Sequence, residues 1–178
     1  TATMTNPVFL ALMGHWIDEL DALAETWPQA GTKPLAQAMR LWMWTLNHLQ
    51  NSKDADGKKL FSGNRQGVTF PMADAISWLA AARCFVDDVL ELKRKGPENP
   101  LLAESLEDTL GFFADLLTLQ NSRTAGEVAR ICAELVYGYG VEGDDAGVYV
   151  GDFEGGWRRG RGRWDLADGT CVVGNWAV

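Results

Sequence analysis

Apolar side chains recur at steps of three and four through most of the chain and at alternate positions near its end, and this change of period divides it. Over residues 7–26, Phe9, Leu12, Met13, Trp16, Leu20, Leu23 and Trp27 share one helical face, with Asp18, Asp21 and Glu25 opposite. Asn6-Pro7 supplies the start: Asn accepts from free amides, and Pro tolerates the first helical position. A second helix is expected from Pro34 to about Gln50, dense in Leu41, Trp42, Met43, Trp44 and Leu46. The polar stretch Asn51–Gly67 reads as loop. A third helix should begin near Thr69-Phe70-Pro71 and run to Lys95, its stripe formed by Leu79, Ala82, Phe85, Val86, Val89 and Leu90. Lys93-Arg94-Lys95 would complement the negative end of its dipole. After the breaker Gly96–Pro100, in which Asn99-Pro100 repeats the start signal, a fourth helical region spans about Leu101 to Tyr137, long enough for two helices meeting near Asn121-Ser122. Four or five such helices predict an antiparallel bundle over residues 1–138.

The period then changes. Gly138-Tyr139-Gly140-Val141-Glu142-Gly143 spells a dinucleotide fingerprint, but it follows a helix and precedes Asp144-Asp145, so neither the strand before nor the helix after is present. It reads as a helix stop opening a Gly/Asp-rich linker, residues 139–148. Residues 149–178 are self-similar at a step of 23: Tyr149, Gly151 and Phe153 recur as Val172, Gly174 and Trp176. Between them lie Gly156, Trp157, Gly160, Gly162, Trp164 and the turn signal Asp168-Gly169. Alternation along Tyr149–Phe153 and Thr170–Trp176 suits strands with one aromatic-bearing face. The expected class is therefore α+β, a helical bundle followed by a short β-hairpin repeat.

These last residues resemble the MORN repeat, with apolar-x-Gly-x-aromatic, Gly-x-Gly, an aromatic and Ala-Asp-Gly in order. The resemblance covers Tyr149–Cys171 and the first strand of a following repeat, Val172–Trp176, with Phe153 in place of the usual Trp and Val172 in place of Tyr. It implies an interaction role without chemistry, through Tyr149, Gly151, Phe153, Trp157, Trp164 and Trp176, toward a protein partner or a second copy. More weakly, Arg65–Asp74, Ala80–Arg83 and Gln120–Arg130 resemble the C-terminal helical region of acyl-CoA dehydrogenases. That resemblance implies an accessory part of a flavin enzyme, and only under it would FAD be a cofactor. No segment here matches the family's catalytic Glu, so no catalytic residue is carried over and the chain is read as non-catalytic.

Charge sharpens the division. The chain has 178 residues and a net charge of -8. In residues 149–178 four Arg balance Asp152, Glu154, Asp165 and Asp168, so the preceding 12 basic and 20 acidic residues carry the whole -8. Such acidity argues against a general nucleic-acid binder. Arg158, Arg159, Arg161 and Arg163 form a basic cluster, a candidate site for anions such as membrane-surface lipid headgroups; the plainer reading pairs them with nearby acids.

Other candidate chemistry is thin. Cys84, Cys132 and Cys171 are odd in number and without CxxC spacing, which suits thiols in a reducing, intracellular compartment. The start, Thr1-Ala2-Thr3-Met4, shows no basic signal-peptide region and no initiator Met, which suggests sequence removed upstream. His15 and His48 lie on separate helices and read as structural or surface groups. Asp87-Asp88-Val89-Leu90-Glu91, with Glu104, Glu107 and Asp108 as a second cluster, resembles a magnesium–diphosphate arrangement but reads first as a solvated acidic face. Asp54-Ala55-Asp56-Gly57 fails as a calcium loop because its twelfth position is Arg65, so no metal is expected.

Overall fold

Asn6 opens the first helix by accepting a hydrogen bond from the Val8 amide at 2.9 Å, with Pro7 in the first turn. In the computed structural model the helices are α1 (Pro7–Thr26), α2 (Thr32–Asn51), α3 (Gln66–Lys95) and α4 (Leu106–Tyr139). The structure describes residues 3–54, 57–139, 147–154, 157–166 and 171–176; beyond Tyr137 it describes side chains only at Arg163, Cys171 and Val173.

Helix directions follow from cross-helix pairs. Phe9 meets Trp42 edge-on at 6.3 Å while the Thr32 hydroxyl donates to the Leu20 carbonyl, so α2 runs against α1. Glu19 pairs with Arg83 and Trp27 with Lys93, so α3 runs with α1. Phe85 meets Phe113, and Trp78 meets Arg123, which turns α4 against α3. The helices alternate up and down around a core of Met13, Leu20, Leu35, Met39, Trp42, Leu46, Met72, Leu79, Val86 and Leu117. Each fully buried Leu or Met contributes roughly 1.5–3 kcal/mol. An exposed ion pair contributes about 0–1 kcal/mol. The apolar stripes therefore hold the bundle together, and Trp42 also donates its indole N–H to the Met72 carbonyl at 3.0 Å.

Three element boundaries differ from expectation. α2 begins at Thr32, two residues before Pro34, because the buried Thr32 hydroxyl is satisfied by Leu20. α3 begins at Gln66 and carries Pro71 inside it; the Gly67 carbonyl that loses its donor lies on an exposed residue, where water can satisfy it. Asn99 caps a turn instead of a helix, accepting from the Leu101 amide at 3.0 Å, and α4 starts only at Leu106. α4 then runs unbroken through Asn121-Ser122. Asn121 does not cap a second helix there, since its fully buried side chain donates to the Ala30 carbonyl at 3.1 Å. Within the polar loop, Leu60 and Phe61 are buried, tied by their amides to Ser52 and Leu49.

The expected α+β class requires correction to all-α. The helical body is 79% helical, with four helices and no strand or sheet in it. Fold class follows from what builds the core, and every buried residue among those described belongs to this body. Apart from an isolated antiparallel bridge between Lys53 and Lys59, β pairing among the described residues lies in the backbone that follows it: β1 (Gly147–Glu154), β2 (Trp157–Leu166) and β3 (Cys171–Trp176), antiparallel in the order β1-β2-β3. Alternation predicts strands there, and their paired backbone adds no buried residue among those described. The register sets Gly151, Gly162 and Gly174 in one row and Tyr149, Trp164 and Val172 in another. A shift between Gly151 and Asp152 then pairs Asp152 with Arg159 and Phe153 with Arg158.

Candidate functional site

The sequence-predicted interaction residues all fall on the paired strands: Tyr149, Gly151 and Phe153 on β1, Trp157 and Trp164 on β2, and Trp176 on β3. Their backbone is placed by the register, while their side chains lie outside the described residues. Of the basic cluster, Arg158, Arg159 and Arg161 likewise have side chains outside the described residues, whereas Arg163 is exposed. Alternate residues of a strand face the same way, and across the register Arg163 pairs with Val173. Val173 and neighbouring Cys171 are exposed too, so this face of β2 and β3 is open to solvent at each described position. Tyr149, Trp164 and Val172 have the opposite parity. Of the linker 139–148, residues 140–146 lie outside the described residues, as does the turn Asp168-Gly169.

The helical candidates resolve into packing roles. His15 lies 3.3 Å from Glu19, whose other carboxylate oxygen takes Arg83 at 2.8 Å. Arg83 also reaches Asp87 at 2.5 Å. The guanidinium is buried, but its carboxylate partners are about half exposed, so Asp87 serves as the counter-ion of a packed Arg. Glu91 pairs with Lys95 one helical turn on, and that ammonium holds its carboxyl below the usual range. Among the described residues no group of three or more His, Cys, Asp or Glu is placed to hold a metal ion. His48 stacks on Trp44 with ring centroids 5.3 Å apart. Arg65 pairs with Asp54, closing the loop whose calcium pattern fails at that same Arg. Burial pushes the Cys132 thiol up, whereas Cys84 and Cys171 are exposed. No helix among the described residues is long and apolar enough to cross a membrane.

The segments from which a likeness to acyl-CoA dehydrogenases was expected lie at the start and middle of α3 and in the middle of α4. Arg83 there anchors α1 to α3, and Asn121 ties α4 to the turn before α2. No family model, no curated protein and no solved structure matches this chain.

One surface feature carries no distinct signal in the sequence. α3 and α4 leave between them an open groove of about 360 Å³, lined by Ala81 and Phe85 on one side and Leu116, Leu119, Gln120 and Arg123 on the other. Leu119 is 68% exposed and nearby Phe112 is 60% exposed. Arg123 lies over the Trp78 ring at 5.8 Å, within reach of a cation–π contact. Leu116 and Leu119 have helical spacing, but the same spacing marks the buried face of α4, so only the packing separates the two.

Proposed function

We propose that this chain is a non-catalytic interaction protein, in which the helical body carries a MORN-like segment that associates with a protein partner or a second copy. The observation behind this reading is the register of the last thirty residues. Gly151, Gly162 and Gly174 stand side by side across three strands, next to the row Tyr149, Trp164 and Val172. A glycine row leaves the sheet thin where another layer can lie against it. A single layer of three strands needs a second layer to cover an apolar face, and β1 and β3 each pair with one strand among the described residues. Both conditions favour association.

Size-exclusion chromatography with light scattering tests it, comparing the full chain with a form lacking residues 149–178. A multimer, or a co-purifying partner, that is lost on deletion is expected. A strict monomer of unchanged behaviour after deletion refutes the reading. A second reading, contact with an anionic membrane surface, is supported by the exposure of Arg163 beside exposed Val173. Flotation with phosphatidylserine liposomes should then fall when Arg158, Arg159, Arg161 and Arg163 are changed to Glu, and unaltered flotation removes it.

A further inference from the structure

We infer that the groove between α3 and α4 receives an amphipathic helix of a partner protein, with its apolar stripe on Phe85, Leu116 and Leu119 and an acidic side chain at Arg123. This surface is separate from the strands that carry the association proposed above. Phe112, Leu116, Leu119 and Arg123 follow one another along α4 at steps of four, three and four. Ala81 and Phe85 answer them across the groove at a step of four. Such rows are the ridges between which the side chains of a third helix fit, and the small Ala81 keeps the space between them open.

Exposure selects the occupant. With Leu119 and Phe112 both more than half exposed, an alkyl chain lying in the open groove would remain partly in water. A helix covers both ridges at once and removes more apolar surface from water. Charge then gives the helix a direction. Arg40, Arg65, Arg83 and Arg130 each pair with a carboxylate; Arg94 and Arg123 have no carboxylate among the described residues, and of these two it is Arg123 that lines the groove, over the Trp78 ring. Its guanidinium stands at one end of a lining whose only other polar side chain is Gln120, where an incoming Asp or Glu would complete the pair. The net -8 of the chain sets a second copy of the helical body against itself, so the fitting partner is a different protein.

Isothermal titration of the full chain tests this with two synthetic peptides of roughly 18 residues, long enough to form a helix. Both are built from Ala, Gln and Lys with Leu at steps of three and four; one has Glu a turn beyond the last Leu, and the other has Lys there. Saturable binding of the Glu peptide is expected. Leu119→Glu should weaken it about tenfold or more, by removing an apolar anchor. Arg123→Glu should weaken it about threefold to fivefold and reverse the preference toward the Lys peptide, as expected for a rim ion pair. Both positions are exposed, and unchanged circular dichroism would verify that the variants fold. Absence of saturable binding overturns the inference, as do two variants that bind both peptides as the parent does. Sodium decanoate binding that depends on Arg123, with no peptide binding, overturns it in favour of a small amphiphile. Neither variant touches the strands, so failure here leaves the mass comparison under Proposed function intact.

Discussion

Changing Gly31 to Ala should unfold the joint where the turn between α1 and α2 meets α4. Gly31 has φ +60 and ψ 31, the left-handed region. An L side chain there costs about 1–2 kcal/mol. A Cβ at Gly31 would also stand 2.8 Å from the Thr118 Cα, and no rotamer change can move that backbone atom of α4. Relief requires the turn to shift away. That shift lengthens the hydrogen bond from the Thr118 hydroxyl to Gln29, now 2.8 Å, and the one from Asn121 to Ala30, now 3.1 Å. Each is worth about 0.5–1.5 kcal/mol. Together these effects amount to about 2–5 kcal/mol, which for a domain of this size lowers Tm by roughly 5–15 °C. Gly57→Ala is the control: its φ is +75, but nothing lies within 4 Å of the added Cβ. It should pay the backbone cost alone, about 1–2 kcal/mol or roughly 2–6 °C. Thermal melts by circular dichroism separate the cases. Equal melting of the two variants would refute the packing argument, because backbone strain would then account for all of the loss.

Two further outcomes follow from charge and burial. The hydrogen bond from Arg40 holds the Asp21 carboxyl below its usual 3.8, so its stabilisation is present above that value and is lost as pH falls through the lowered one. In urea titrations at pH 6 and pH 3, the parent should lose more stability than Asp21→Asn. Both side chains are 40% exposed, so the difference should be only a few tenths of a kcal/mol, and parallel losses would show that the pair contributes nothing. For the thiols, Ellman's reagent at pH 8 should react quickly with exposed Cys84 and Cys171, and with Cys132 only on unfolding. Three fast thiols would contradict the burial of Cys132.

Helices are legible wherever a stripe is long and its ends carry local signals. Asn6-Pro7 and the run to Lys95 are read from side chains acting on their own backbone, within one turn of the chain. Asn99-Pro100 and Asn121-Ser122 use the same vocabulary and mislead, for different reasons. Asn99 caps a turn that passes into α4 only at Leu106. Asn121 is turned inward by a carbonyl 91 residues away in the chain. The strands were legible from alternation and glycine spacing, but their weight in the fold was not. Likewise, Asp87 belongs to an acidic run in sequence, and only the approach of Arg83 makes it a counter-ion.

By itself the sequence determined where the helical period holds, where it gives way to alternation, and that the -8 charge lies before residue 149. These are properties of neighbours along the chain, whose effects act within a turn or a strand. Tertiary structure decided which apolar stripes pack and which stay open. Leu117 is fully buried while Leu119, two residues on, is 68% exposed, although both are Leu on one helix. α4 presents more apolar faces than its neighbours cover, and the positions of α2 and α3 determine which face is left open to solvent.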